Sequence, residues 1–150
     1  MEHTSRIADL VFLPQKKIAS AEGSLLHVLR ADSPLFKNFG EVYVSTVMNG
    51  AVKAWKMHKL MTQNLVVPHG QVLFSIYDGR QDSRTYGCVQ EVLLSREDYF
   101  LMQIPPLVWY GFRGMASLES LIVNCASLPH DPDEVERLPS DSDRVPYRWA

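Results

Sequence analysis

The chain has no C-x-x-C pair, no apolar run long enough to cross a bilayer, and no excess of one charge. Its 150 residues hold two cysteines, Cys88 and Cys125, each alone inside a strand-like apolar run. That spacing excludes zinc-ribbon and dithiol redox chemistry and predicts buried free thiols in a reducing compartment. The N-terminal stretch MEHTSRIADLVFLPQKK carries charge ahead of an apolar run of only about five residues, too short for a signal h-region or a membrane span. A soluble, cytoplasmic protein is expected. Lys+Arg of 15 against Asp+Glu of 17 leaves a formal charge of -2. No global basic field exists to draw the chain to nucleic acid or to an anionic membrane. Internal repeats and low-complexity segments are also missing.

What is present is apolar and strand-like. At 46% hydrophobic residues, one domain of this size buries roughly 70% of the surface of its unfolded chain. Residues 7–13 and 24–29 read as short strands. EVYVSTVM at 41–48 is β-branched and aromatic, and the Asn49-Gly50 turn behind it predicts a hairpin with the next run. Further strands are expected at 52–57, 63–67, 71–77, 87–94, 99–104 and 120–126, with Gly, Pro, Asp or Ser between them. This spacing predicts an all-β sandwich or barrel. Helical signals are confined to single turns at 95–98, with Ser95 as N-cap, and at 133–138. From Pro129 onward the composition turns charged and proline-rich, which predicts a tail draped over the barrel, with Tyr147 and Trp149 needing a groove.

The stretch 50–70, GAVKAWKMHKLMTQNLVVPHG, gathers lysines, a histidine, a tryptophan and amides. In the cupin pattern H-x-H precedes a Glu by four residues and a later strand adds a third histidine. Here those positions hold Lys56, His58, Thr62 and Tyr110. A divalent metal needs about three converging imidazole or carboxylate ligands. Only His58 remains, so no metal site is expected. YDGRQDSRTYG at 77–87 is similar to a D-x-R-x-x-S-x-T-x-G signature. Leu94-Ser95, Ile104-Pro105-Pro106 with Gly111-Phe112, and VPYRW at 145–149 follow in order. Over about residues 25–149 this ordered set resembles the dTDP-4-dehydrorhamnose 3,5-epimerase family.

The resemblance implies a cupin-type β-barrel (jelly roll) as one domain, with an N-terminal strand arm over 1–30, the barrel over 41–126 and an irregular tail over 129–150. It implies a metal-free and cofactor-free isomerase, a 3- and/or 5-epimerase of a nucleotide-linked 4-keto-6-deoxy sugar used in polysaccharide synthesis. The expected assembly is a homodimer that exchanges N-terminal strands. The alternatives are a non-catalytic cupin that binds a sugar nucleotide or another small ligand, and a sugar 3,4-ketoisomerase. In the family segment Q-x-N-x-S leading into R-G-L-H, this chain has Glu41, Tyr43 and Ser45, then Lys53, Ala54, Trp55 and Lys56. The resemblance thus puts Lys53 at the diphosphate arginine, Lys56 at the catalytic histidine and Tyr110 at a second histidine. Aligning the Y-x-P segment on His130-Asp131-Pro132 puts Asn124 at the acid tyrosine.

Epimerisation next to a carbonyl needs a base, a partner for the enolate, and a proton returned from the opposite face. Lys56 serves as base if burial or neighbouring cations lower its pKa; His58 is suited by its ordinary pKa. Strand alternation puts Lys56 and His58 on one face and Lys53 on the other, so Lys53 reaches the same site only from the rim or across a bulge. Tyr110 and Tyr43 are the candidate proton donors or enolate partners, and Lys53, Arg80 and Arg30 the candidates for diphosphate. Each also has a structural reading: solvated charge for Lys56, a hydrogen-bonded core residue for His58, a carboxylate-held loop for Arg80, and space-filling for Tyr110 and Tyr43.

Overall fold

The computed structural model describes residues 3–150, so residues 1 and 2 of the expected arm lie outside it. Two five-stranded antiparallel sheets face each other. The first runs β1(Val11–Pro14), β9(Phe100–Ile104), β6(Gln63–His69), β11(Ser120–Ala126), β4(Glu41–Val47) in spatial order. The second runs β12(Val135–Arg137), β5(Val52–His58), β10(Trp109–Gly114), β7(Gln71–Tyr77), β8(Val89–Ser95). β2(Lys17–Ser20) and β3(Gly23–Leu26) pair only with each other. The fold is the expected all-β jelly roll.

Alternation along the strands builds the core between the sheets. Inward side chains such as Leu65, Val67, Val72, Phe74, Ile76, Met102, Ile104 and Ile122 are buried. Burying a Val, Leu, Ile or Phe side chain stabilises by roughly 1.5–3 kcal/mol, so this set dominates the fold. A second cluster lies on the back of the second sheet, where Trp55, Met57 and Trp109 receive Val145, Tyr147 and Trp149 from the tail. This is the groove that the two terminal aromatics required.

Several local expectations change. Asn49-Gly50 does form a turn, with Gly50 at φ 78, but β4 and β5 do not pair as a hairpin. They belong to opposite sheets, and the turn carries the chain across while Gly50 N–H donates to Gly114 O at 2.8 Å. WYGFRG at β10 was not expected as a strand because prolines precede it and two glycines interrupt it, yet it lies between β5 and β7. The single turn expected at 133–138 is a 3-10 turn, Pro132–Glu134, followed by strand β12 on β5. No helix forms at 95–98, although Ser95 Oγ still accepts from Asp98 N–H at 3.0 Å. In the 1–30 segment, Val11–Pro14 pairs with β9 inside the first sheet. Cys88 and Cys125 are free and half-buried instead of buried.

Two of the contacts that hold the tail are a buried pair and a close approach of backbone. Glu134 is 4% exposed and His58 is 6% exposed. The Glu134 carboxylate accepts from His58 Nδ1 and from the backbone N–H groups of Leu60 at 3.1 Å and Met61 at 3.2 Å. Gly111 is the second: a Cβ there would stand 2.4 Å from Ala54 Cβ and 3.0 Å from Trp149 Cζ2.

Gly111→Ala is therefore expected to destabilise the fold by roughly 1–3 kcal/mol through overpacking, read as a lower urea midpoint; an unchanged midpoint would refute the close approach. Burial pushes His58 below its ordinary 6.5, against the opposing pull of Glu134. The hydrogen bonds hold Glu134 below its ordinary 4.5 even though its own burial acts the other way. The unfolded chain therefore takes up protons first on both counts, so the stability that this pair contributes is present at neutral pH and falls as pH drops below about 6.5. His58→Ala strands a buried carboxylate and should cost about 3 kcal/mol; urea titrations at pH 7.5 and 5.5 check both statements.

Candidate active site

A cavity of about 430 Å³ opens between the two sheets. Tyr43, Ser45, Leu65, Ile122 and Asn124 come from the first sheet, and Lys53, Lys56, Phe74, Tyr110, Phe112 and Arg137 from the second. Its depth is apolar and its mouth is cationic.

The wall holding the lysines depends on a bulge. Tyr110 is opposite Lys56 and Phe112 is opposite Lys53, so three steps along β5 match two along β10. One extra residue on β5 therefore puts Lys53 and Lys56 on the same face. Strict alternation had put them on opposite faces. On the other side of β5, Arg137 is the cross-strand partner of Lys56. Arg137, Lys56 and Tyr110 thus form one row across three strands.

Lys56 is half-buried, and burial pushes its pKa down from the ordinary lysine value, with Arg137 and then Lys53 adding to the effect. Tyr110 is 4% exposed. Burial holds its phenol far above the ordinary tyrosine range, reinforced by Tyr43, while Arg137 and a hydrogen bond with Gln63 oppose it. Burial also raises Tyr43, against a hydrogen bond from Asn124.

The opposite wall is oriented by backbone. Asn64 N–H can only donate, and it donates to Asn124 Oδ1 at 3.2 Å. The amide NH₂ of Asn124 is thereby turned to Tyr43 Oη at 2.9 Å and Gln63 Oε1 at 3.3 Å. Because the phenol oxygen of Tyr43 accepts this bond, its own O–H is left to donate elsewhere.

Of the residues singled out in the sequence, the cavity gathers Tyr43, Lys53, Lys56, Tyr110 and Asn124. His58, Arg80 and Glu41 are not in its lining. His58 continues along β5 into the buried pair with Glu134. Arg80 spends its guanidinium on Asp78 at 2.8 and 3.0 Å, on Asp9 at 3.2 Å and on Ala8 O at 2.8 Å, holding the 78–85 loop together with Ser83 and Thr85. Glu41 is half-buried at the start of β4, opposite Ala126, where its charge reaches Tyr43. Arg30 pairs with exposed Asp32 at 2.8 Å. Sequence reasoning missed Arg137 and Gln63. Arg137 stands in a charged, proline-rich tail with no local pattern, and Gln63 reads as an ordinary strand residue. Among the described residues no three His, Cys, Asp or Glu side chains are grouped to hold a metal ion, and no helix is long and apolar enough to cross a membrane.

No protein-family model matches the chain. A probable low-salt glycan biosynthesis epimerase, Agl13 of Haloferax volcanii, is 34% identical over 136 residues, covering 87% of this chain and 86% of that protein. The crystal structure of a dTDP sugar isomerase from Desulfovibrio desulfuricans superposes with a TM-score of 0.93 at 42% identity, covering 95% of this chain and 92% of that one. A dTDP-4-dehydrorhamnose 3,5-epimerase from Bacillus anthracis, solved with TDP and pyrophosphate bound, shares the fold at a TM-score of 0.85 and 16% identity, over 97% and 87% of the two chains. With a cavity of this make-up on a cupin jelly roll, the chain belongs to the dTDP-4-dehydrorhamnose 3,5-epimerase-like family of sugar epimerases.

Proposed function

We propose that the protein is a metal-free epimerase of a nucleotide-linked 4-keto-6-deoxy sugar, acting at the carbons next to the keto group. The observation that carries this reading is a cavity with Lys56 on one wall, Tyr43 on the facing wall, Lys53 and Arg137 near its mouth, and no carboxylate in its lining. Such a site takes an anion with a neutral, polar portion inserted. A sugar linked to a nucleoside diphosphate has that shape. The relatives named for dTDP sugars and for glycan biosynthesis point to the same substrate class and to a role in polysaccharide assembly.

The roles follow from the walls. Inversion needs proton removal on one face and return on the other. Lys56, with its pKa lowered, removes the proton next to the carbonyl. Tyr110 shares its wall and keeps its proton at neutral pH, so it donates a hydrogen bond to the developing enolate oxygen. Tyr43, held by Asn124 with its O–H free, returns a proton from the facing sheet. Lys53 meets phosphate as a point charge, without the forked geometry of an arginine. Its ammonium donates to Thr46 O at 2.6 Å. His58 contributes by anchoring β12, and Arg80 and Glu41 by shaping the surroundings. A homodimer completes the reading: β4 ends its sheet and exposes Val42 and Val44, and the β2–β3 hairpin exposes Ile18 and Leu25. We place the protein in the cytoplasm, where nucleotide sugars are made.

Incubation with dTDP-4-keto-6-deoxyglucose in deuterium oxide, followed by NMR at carbons 3 and 5, tests the reading. Deuterium uptake at one or both carbons is expected; saturable binding with no uptake would make the protein a binding module instead. Lys56→Ala should cut uptake by on the order of 10²–10⁴. Because Lys56 must be neutral to act, kcat/KM should fall along an acid limb that lies below the ordinary lysine value of 10.5. Tyr43→Phe separates the two half-reactions: exchange should persist with retention while epimer formation drops. Equal loss of both, or of neither, removes Tyr43 from the return step.

A further inference from the structure

The tail brings a charge into the cavity that the barrel does not itself supply. Arg137 lies on β12, directly across from Lys56. Its register is held by reciprocal backbone bonds one residue on, with Trp55 N–H donating to Leu138 O at 2.9 Å and Leu138 N–H to Trp55 O at 3.1 Å. Three residues earlier the buried Glu134 pins the same segment to His58, Leu60 and Met61. The backbone of Arg137 is thus held in place, and its exposed side chain lines the cavity.

Its charge is uncompensated. Among the described residues no carboxylate pairs with Arg137, Lys53 or Lys56, whereas Arg30 and Arg148 each have one and Arg80 has two. Like charges around one cavity repel one another, and Lys56 feels this from Arg137 and from Lys53. A bound anion would relieve it. Lys53 and Arg137 flank Lys56, one along the strand and one across it, and both side chains reach solvent at the mouth. The more deeply seated Lys56 is left facing the inserted group.

We propose that Arg137 is a substrate-binding residue of this site: its guanidinium clamps the diphosphate of the nucleotide sugar opposite Lys53, so that the C-terminal strand completes the active site. The proposal rests on the nucleotide-sugar reading above. An arginine presents two parallel donors to phosphate oxygens, which a lysine cannot, so the forked contact missing at Lys53 is restored from the opposite side. The same residue has a second effect. Burial favours neutral Lys56, and Arg137 and then Lys53 add to it. The other titratable groups around Lys56 are Tyr110 from β10 and Tyr43 from β4, the latter also feeling Glu41. On its own strand His58 feels Lys56. A bound diphosphate would offset part of this field, so Arg137 couples anion binding to the state of the base.

Titration with dTDP and separately with inorganic pyrophosphate, read by calorimetry on wild type, Arg137→Gln and Arg137→Lys, tests this together with the pH dependence of exchange. Loss of one charge-assisted phosphate contact is worth on the order of ten- to hundred-fold in affinity. Arg137→Gln should weaken both ligands to that extent, raise KM more than it lowers kcat, and move the acid limb of kcat/KM to higher pH, because Lys56 then holds its proton more tightly. Arg137→Lys keeps the charge but not the fork, so it should restore the acid limb while recovering affinity only in part. A melting temperature equal to wild type excludes a folding defect, and the lysine variant keeps the test open if the glutamine variant does not fold. Wild-type affinities and an unshifted limb in Arg137→Gln overturn the assignment and leave the nucleotide-sugar reading standing. Wild-type protein that binds neither ligand and exchanges no deuterium overturns both.

Discussion

The arrangement depends on how β5 pairs on its two sides. Against β10 it carries one extra residue, and against β12 it stays in register through Lys56. The extra residue turns Lys53 onto the face that Lys56 occupies, and the in-register pairing brings Arg137 to the same row. Without the bulge, one lysine would point into the cavity and the other toward the aromatic cluster behind it. Without β12, the edge of β5 would be open and the cavity would have lost its arginine.

The back of β5 explains why this pairing is stable. Trp55 is buried against Tyr147 and Trp149, with ring centroids 5.9 and 5.4 Å away, and its indole N–H donates to Ser140 O at 3.3 Å. Aromatic burial on one face thus holds in place a strand whose other face carries uncompensated charge. Gly111 makes this possible by leaving room for Ala54 and Trp149. The His58–Glu134 pair secures the other end of β12. These contacts hold β5 and β12 in the register that keeps Lys53, Lys56 and Arg137 around one cavity.

Much of the barrel could be read directly. Seven strands lie where β-branched and aromatic runs end at Gly, Pro, Asp or Ser, because side-chain alternation and turn chemistry are local properties. β10 was hidden by its two glycines, and β12 by its charged, proline-rich surroundings; both are held by neighbours and not by propensity. The Asn49-Gly50 turn was legible as a turn but not as a crossing between sheets, since a turn specifies a reversal of the chain and not the partner it returns to. Among the site residues, Lys56 and Tyr110 were found from motif positions and proved to be cross-strand partners. His58 looked equivalent to Lys56 by spacing, and it is Glu134, 76 residues away in sequence, that takes it out of the cavity.

By itself, the sequence determined that this protein is an all-β barrel with no grouping of metal ligands at the cupin positions, that lysines stand where the family pattern it resembles has arginine and histidine, and that two aromatic residues near the C-terminus need cover. These follow from residue type and short-range spacing. Which lysine faces inward, which phenol has its O–H free, and that an arginine from the tail joins them were decided by tertiary structure. Bulges, cross-strand register and the direction of an amide depend on backbone groups far away in the chain, and no local pattern encodes them.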